Sequence, residues 1–148
     1  MCVAPDVGGV ERARAIGKRL NADLAIIDKR RSGPGNSEVM NVIGQVKGKS
    51  CVIIDDLVDS GGTICNAADA LIKKGAKDVY AYVVHAVLSA NAVDKIQKSK
   101  IKQFIVTNSI DNETKTKGSK IKTISIAPLL GEAINRISES KSVSKLFK

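Results

Sequence analysis

The sequence predicts an α/β fold, in which a mostly parallel sheet is flanked by helices. Two observations support this prediction. Short apolar runs of strand length alternate along the chain with segments whose apolar residues recur at helical spacing. The run CVIID at 51–55 is apolar up to its aspartate, which is typical of a strand buried on both faces of a parallel sheet. A single domain over 1–148 accounts for the pattern, because no internal repeat or linker interrupts it.

The individual elements follow from local patterns. The clearest helix spans 63–74, where the apolar residues recur at i, i+3, i+4, i+7 and i+8 and Gly75 marks the end. Pro128 is placed to open the last helix, which carries Leu130, Ala133, Ile134 and Ile137. Polar composition predicts loops at 29–37 and 110–119. Two further helices are predicted at 10–20 and 89–99. The first predicted strand ends at 3–4, and the others cover 24–28, 38–44, 51–55, 79–87, 103–109 and 122–127.

Composition narrows the classes of protein. The chain of 148 residues is 43% hydrophobic and 26% charged, has no apolar run long enough for a membrane span, and starts without a signal-peptide pattern, so we expect a cytoplasmic protein. Its three cysteines, Cys2, Cys51 and Cys65, form no C-x-x-C and suggest neither disulfides nor zinc. The net charge of +9 is interpreted as a lysine-rich surface, and we expect no nucleic-acid partner because tryptophan is absent and other aromatic residues are few.

The string DDLVDSGGT at 55–63 carries the strongest functional signal. It lies between a predicted strand and a predicted helix, at the edge of the sheet where open α/β folds bind ligands. Its glycines and the helix N-terminus offer free backbone N–H groups to a phosphate, and its hydroxyls add further donors. Its paired acids suit sugar hydroxyls or water-bound Mg²⁺. The candidate residues are Asp55, Asp56, Asp59, Ser60, Gly61, Gly62 and Thr63; the alternative is an ordinary turn in which Asp59 or Ser60 caps the helix.

A resemblance to a known family extends well beyond this string. Residues 51–68 resemble the phosphoribosyl pyrophosphate signature shared by class I phosphoribosyltransferases and ribose-phosphate pyrophosphokinases. Four other stretches resemble the pyrophosphokinases, also called phosphoribosyl pyrophosphate synthetases: APDVGGVERARAIGKRL at 4–20, DLAIIDKRR at 23–31, SEVMNVIGQVKGK at 37–49 and APLLGEAINRIS at 127–138. The resemblance covers the whole chain, matches the C-terminal half of that family, and implies a type I phosphoribosyltransferase-like fold.

The resemblance implies an activity and roles for the candidate residues. The family transfers pyrophosphate from ATP to ribose 5-phosphate, giving 5-phosphoribosyl 1-pyrophosphate and AMP for nucleotide biosynthesis. By resemblance, residues 59–63 hold the 5-phosphate, and Asp55 and Asp56 hold the ribose hydroxyls. Asp6 matches a residue that helps to bind Mg²⁺, although an aspartate in the turn PDVGG fits a purely local role equally well.

Two further positions are assigned by resemblance. Lys29 and Arg31 match the family's catalytic flexible loop, in which cations neutralise the charge of the transferred group. The segment KRRSGPGNS at 29–37 would close over ATP and exclude water. The sequence His85-Ala86 departs from the family's usual His-Gly, and we interpret this histidine as structural.

The absent half of the family pattern raises the question of partners. In the family the first half supplies the adenine contacts and a metal-ligand histidine, and ATP binds between subunits. We therefore expect an oligomer that includes either a separately encoded N-terminal half or a full-length enzyme. Two alternatives remain open: a noncatalytic ribose-phosphate-binding or regulatory module, and a phosphoribosyltransferase.

Overall fold

Strands and helices alternate along the chain in the computed structural model, which describes residues 1–30 and 39–147. The described strands are β1 (Cys2–Ala4), β2 (Leu24–Arg30), β3 (Val39–Ile43), β4 (Ser50–Val58), β5 (Asp78–Ala86), β6 (Ile101–Thr107) and β7 (Ile121–Ile124). The described helices are α1 (Val10–Leu20), α2 (Gly62–Lys73), α3 (Ala92–Lys98), α4 (Glu113–Thr116), α5 (Ala127–Ser138) and a final 3₁₀ helix (Val143–Phe147).

The described strands form one seven-stranded sheet in the order β3-β2-β1-β4-β5-β6-β7. Neighbouring strands run parallel, except that β3 runs antiparallel to β2 at one edge. The mostly parallel sheet predicted from the sequence is therefore confirmed. Over the same residues no helix has the length and apolarity needed to cross a membrane.

The main hydrophobic core lies between the sheet and α2. The predicted apolar stripe of α2 is confirmed: Ile64, Ala67, Ala68 and Leu71 are buried, and Ile72 is half-buried. They pack with alternate residues of the central strands, which project to the α2 side because successive side chains of a strand point to opposite faces. These strand residues are Cys51, Ile53, Val79, Ala81, Val83, Phe104 and Val106.

Helix α1 covers the other face of the sheet, over β1, β2 and β4. The chain can pass from α1 into β2 only because position 17 is glycine. A Cβ atom added to Gly17 would lie 2.9 Å from the carbonyl oxygen of Ala22. The close turn that follows is completed by Asn21 in the left-handed region, with φ of 48°.

Several element boundaries differ from the sequence-based expectations. The strand expected at 51–55 continues to Val58, because Leu57 and Val58 pair with β5. The expected loop 29–37 is wrong at its start, since Lys29 belongs to β2 and pairs with β3; residues 31–37 lie outside the described ranges. The expected loop 110–119 contains the single-turn helix α4, which buries Thr116.

Helix α5 forms at the expected place, but its packing was not predicted. It begins at Ala127, one residue before Pro128. Within the described part of the chain, no residue of α5 is buried, and its most extensive contact is with the final 3₁₀ helix. Helical periodicity predicts the conformation of a segment, and it does not show what the apolar side packs against.

The difference between α2 and α5 leads to a stability prediction. Leu71 of α2 is 0% exposed and Leu130 of α5 is 52% exposed. Leu71→Ala should lower the free energy of unfolding by about 2–5 kcal/mol, because it leaves a cavity in the core. The matched change Leu130→Ala should alter it by about 0.5 kcal/mol or less. Urea unfolding followed by circular dichroism measures both, and equal losses would contradict the assignment of the core to α2.

Candidate functional site

The candidate site lies where the sheet changes its winding direction. Strands β1 and β4 are parallel neighbours. The chain leaves β1 through α1 towards β2 on one side, and leaves β4 through α2 towards β5 on the other. The two helices lie on opposite faces, so their starts diverge and leave a crevice beyond the carboxyl ends of β1 and β4. Such switch points are the usual ligand sites of open α/β sheets.

A cleft of about 300 Å³ opens at this point. The structure therefore brings together residues from two separate parts of the sequence, the turn after β1 and the string that ends β4. Asp56 of this string does not line the cleft. The lining residues are Asp6, Asp55, Leu57, Val58, Asp59, Ser60, Gly61, Gly62, Thr63 and Ile64.

The N-terminus of α2 presents its amide groups to the cleft. The first backbone bond of the helix runs from the Cys65 N–H to the Gly61 carbonyl at 3.0 Å, so the amides of 62–64 precede the hydrogen-bonded turns. Gly61 is the N-cap, with φ of 75°, and no side chain caps the helix. The alternative in which Asp59 or Ser60 caps α2 is therefore wrong. A backbone with uncapped amides and a glycine at the turn is chemically suited to bind an anion.

Two acids at the end of β4 share one arginine. Arg12 of α1 donates from Nη1 to Asp55 Oδ1 at 3.0 Å and from Nη2 to Asp56 Oδ2 at 2.6 Å. The backbone N–H of Asp56 also donates to Asp55 Oδ1, at 2.9 Å. The guanidinium fork thus holds two adjacent carboxylates at once.

Arg12 is a residue that the sequence-based reasoning missed. The helical pattern placed it off the apolar face of its helix, where a solvated role is the usual interpretation. One signal was available: Arg12 lies in the first turn of α1, where the helix dipole disfavours a cation. A cation at that position implies a nearby acid, but the acids lie more than forty residues away in sequence.

Burial raises the pKa of the Asp55 carboxyl above its ordinary value. The negative charge of Asp56 raises this pKa as well, whereas the amide of Asp56 and the Arg12 guanidinium lower it. Because the folded-state pKa is raised, the contribution of Asp55 to stability is present below the unfolded pKa and is lost as the pH rises through the folded pKa. A bound cation or a hydroxyl donor beside this carboxyl would offset the effect of burial on its pKa.

The sequence suggested two roles for Asp6, a contact within the local turn and a place at a Mg²⁺ site, and the structure bears on both. Its Oδ1 accepts the Gly9 N–H at 2.9 Å, so it does stabilise the local turn. It also lines the cleft together with Asp55. In the described residues, no group of three or more His, Cys, Asp or Glu side chains is arranged to hold a metal. Two carboxylates are nevertheless a sufficient protein contribution for Mg²⁺, which keeps several of its waters.

Three further residues singled out in the sequence, Lys29, Arg31 and His85, lie away from the lining of the cleft or outside the described residues. Lys29 lies near the carboxyl end of β2, at the same edge of the sheet as the cleft, but it does not line the cleft. Arg31 lies outside the described residues. His85 lies near the end of β5 with its Nδ1 3.0 Å from Ser109 Oγ, and Ala86 beside it is buried.

The contact between Arg12 and Asp55 leads to a prediction about the pKa of the Asp55 carboxyl. We expect this carboxyl to have a pKa above the ordinary value for aspartate, because burial is the largest of the effects on it. Arg12→Gln should raise the pKa further by removing the guanidinium, whereas Arg14→Gln, an exposed change on the same helix, should leave it in place. Carboxyl ¹³C shifts measured across pH provide the titration curves. An unchanged or lower pKa of Asp55 in Arg12→Gln would contradict this electrostatic account.

Comparison with known proteins gives the chain its family. The family model of the phosphoribosyl synthetase-associated domain matches residues 31–148. A ribose-phosphate pyrophosphokinase from Agrobacterium fabrum is 57% identical over 148 residues, which cover 99% of this chain and 48% of that protein. The chain thus spans about half the length of the curated relatives that it matches.

Solved structures agree with this relationship. The phosphoribosylpyrophosphate synthetase of Mycobacterium smegmatis is similar with a TM-score of 0.86 and 36% identity, covering 94% of this chain and 45% of that one. The purine phosphoribosyltransferase of Pyrococcus horikoshii is more distant, with a TM-score of 0.51, 26% identity and coverage of 60% and 63%. The chain therefore belongs to the phosphoribosyl synthetase family, and it is about half as long as the ribose-phosphate pyrophosphokinases that it matches.

Proposed function

We propose that this chain is the sugar-phosphate-binding half of a ribose-phosphate pyrophosphokinase. Joined to a complementary half, it transfers pyrophosphate from ATP to ribose 5-phosphate, releasing AMP. The observation that carries this proposal is the cleft, in which the string 59–63 lies beside Asp6 and Asp55. The greater similarity to the Mycobacterium smegmatis synthetase than to the Pyrococcus horikoshii transferase supports a pyrophosphokinase over a phosphoribosyltransferase.

The N-terminus of α2 is assigned to the 5-phosphate. The amides of 62–64 are not engaged by the first helical bond, and Ser60 and Thr63 add hydroxyl donors at the same wall of the cleft. A dianionic phosphate there gains hydrogen bonds and the favourable end of the helix dipole. A Cβ atom added to Gly62 would meet only Ser60 Oγ, at 3.9 Å, so the ligand can approach the backbone closely.

The paired acids are assigned to the ribose hydroxyls. Asp55 Oδ1 already accepts from Arg12 and from the Asp56 amide, so its Oδ2 is the oxygen we assign to the sugar. Asp56 is exposed and does not line the cleft, and we assign it to the sugar because it shares Arg12 with Asp55. The Arg12 guanidinium acts here as a positioning group that holds both carboxylates in place.

Mg²⁺ is the cofactor that these residues fit. Asp6 would hold it, with Asp55 on the same cleft and water completing the coordination. A bound Mg²⁺ neutralises negative charge on phosphate oxygens during transfer. A cation beside the Asp55 carboxyl would favour its ionised form and so oppose the effect of burial on its pKa.

The transfer itself requires cations at the reacting phosphates. We assign this role to Lys29, from the strand beside β1, and to Arg31 of the segment that follows. Both would act on the charge that develops during transfer, so they should influence the rate more than the binding of the sugar.

ATP binding is assigned largely to the complementary half. None of the residues described as lining the cleft is aromatic, so the described cleft offers no ring on which adenine could stack. A separately encoded half or a full-length enzyme would supply that pocket. We place the reaction in the cytoplasm, which agrees with three cysteines that are all free.

The phosphate assignment predicts the effect of filling the space beside Gly62. The natural chain should bind ribose 5-phosphate in calorimetry, and Gly62→Val should weaken binding about tenfold or more, because the new side chain blocks access to the amides. Gly131→Val, at a helical glycine whose added Cβ also meets open space, is the matched control and should bind normally. No binding by the folded natural chain at millimolar ligand would refute the proposed function.

The assignment of the sugar to this chain and of ATP to the complementary half predicts which sample is enzymatically active. Ribose 5-phosphate-dependent AMP release by the chain alone should be at least about a hundredfold slower than in a complex with the unmatched half of the Agrobacterium fabrum relative, because ATP is not positioned. In that complex Lys29→Ala should lower kcat and spare sugar binding, whereas Asp56→Ala should weaken sugar binding. Fast turnover without a partner would contradict the assignment of ATP to the other half. Sugar binding without turnover in the complex would favour the noncatalytic module.

A further inference from the structure

We propose that Lys115, a residue of α4 that does not line the cleft, positions the backbone of the string 59–63 for phosphate. It acts through residues 87–90, which we name the support turn. This inference rests on the proposed function for the identity of the ligand, and it adds a distant residue that orients the binding backbone. Its test includes inorganic phosphate and measurements on the ligand-free chain, so it can be judged separately from the proposed function.

The support turn holds two backbone carbonyls where β4 passes into the string. The Val58 carbonyl accepts the N–H groups of Val87 and Leu88, at 3.0 and 3.3 Å. The Asp59 carbonyl accepts the Ser89 N–H at 3.1 Å. A backbone that binds an anion must present N–H groups to it and engage its carbonyl oxygens elsewhere, because these oxygens would repel the ligand. The support turn provides partners for these two carbonyls.

Helix α3 contacts the next two positions of the string. Lys95 Nζ donates to the Ser60 carbonyl at 3.4 Å. A Cβ atom added to Gly61 would lie 3.5 Å from Ile96 Cγ1 and 3.7 Å from the Ala92 carbonyl oxygen, so α3 packs directly against this glycine. The string is therefore supported by α3 as well as by the support turn.

The backbone of the support turn has an unusual conformation. Leu88 has a φ of 52° and Ala90 a φ of 47°, both in the left-handed region that residues with a side chain rarely adopt. The Leu88 side chain is fully buried. Such a conformation persists only where the surrounding structure maintains it. The support turn therefore depends on contacts from outside itself.

Lys115 supplies one of these contacts and starts a chain of hydrogen bonds. Its Nζ donates to the Leu88 carbonyl at 3.0 Å. This carbonyl belongs to the same peptide group as the Ser89 N–H, which donates to the Asp59 carbonyl. The Asp59 carbonyl in turn shares a peptide group with the Ser60 N–H. The chain thus connects an ammonium on α4 to an amide of the string.

Asn112, directly before α4, starts a second chain of the same kind. It is buried, and its Nδ2 donates to the Ala86 carbonyl. This carbonyl shares a peptide group with the Val87 N–H, which donates to the Val58 carbonyl. The latter shares a peptide group with the Asp59 N–H. Two side chains from one segment therefore reach two successive amides of the string.

Only the first of these two chains begins with a charge. Hydrogen bonds in a chain polarise one another, so the Lys115 ammonium strengthens the bonds that follow it and makes the Ser60 N–H a better donor. An anion that accepts from this N–H would complete the chain. Lys115 is therefore a positioning residue, since it acts on the phosphate through the backbone.

The test measures phosphate binding by the full chain. In calorimetry, Lys115→Met should bind ribose 5-phosphate and inorganic phosphate about fivefold or more weakly, because the charged donor is lost. The matched control Lys117→Met removes the same charge from an exposed lysine of the same segment and should change binding about twofold or less. Lys115→Arg should retain most of the affinity, because a guanidinium can donate to the same carbonyl.

Two further measurements separate positioning from a loss of folding. Lys115 is exposed, so the urea midpoint of Lys115→Met should match that of the natural chain. In the ligand-free chain the amide proton resonances of Ser89 and Ser60 should move upfield in Lys115→Met and stay in place in Lys117→Met.

A second pair of variants tests the support turn without changing any charge. Ala90 is exposed, so a larger side chain can be accommodated there. Ala90→Gly should preserve phosphate binding, because glycine adopts the left-handed region readily. Ala90→Val should weaken it, because a branched side chain disfavours that region.

Several outcomes would overturn the inference. Unchanged phosphate binding in Lys115→Met, or unmoved resonances of Ser89 and Ser60, would show that the chain of hydrogen bonds transmits nothing. Equal losses in Lys115→Met and Lys117→Met would indicate a general effect of charge. Binding of inorganic phosphate without ribose 5-phosphate by the natural chain would count against the proposed function and leave this inference to be judged with inorganic phosphate. Binding of neither ligand would refute both.

Discussion

The parallel pairing of β1 with β4 is the constraint on which the rest of the structure depends. Strand β1 is only three residues long and is fully buried, so it is held in place by backbone pairing with β2 and β4 on either side. This pairing brings the turn containing Asp6 to the same edge as the string 55–63. It also places α1 and α2 on opposite faces, which opens the cleft between their starts.

Burial and the Arg12 guanidinium have opposite effects on the pKa of Asp55 at the cleft. Ending β4 with two acids places the Asp55 carboxyl in a half-buried position, where burial favours its neutral form. Arg12 limits this penalty with two charge-assisted hydrogen bonds, one to each acid. The arrangement orients both carboxylates, and it places a cation in the first turn of α1, where the helix dipole disfavours it. Sites that bind charged ligands commonly hold such strained groups.

The distribution of apolar residues distinguishes the two faces of the sheet. The α2 face has a continuous core from β3 to β7, whereas Val84 and Ile124 of the other face are exposed among the described residues. Leu130, Ile134 and Ile137 of α5 are exposed as well. The exposed side of α5 thus contrasts with the buried apolar side of α2.

The sequence by itself determined the α/β class, the placement of most helices and strands, and the position of the acid- and glycine-rich string 55–63 between a strand and a helix. Those features depend on neighbours in sequence: the periodicity of 63–74, the apolar run before Asp55, and the glycines that permit the turn at Gly61. Only the tertiary structure decided that β4 continues to Val58, that Arg12 joins Asp55 to Asp56, and that α5 leaves its apolar side exposed. Each of these depends on contacts between distant segments, which a local pattern of residue types does not encode.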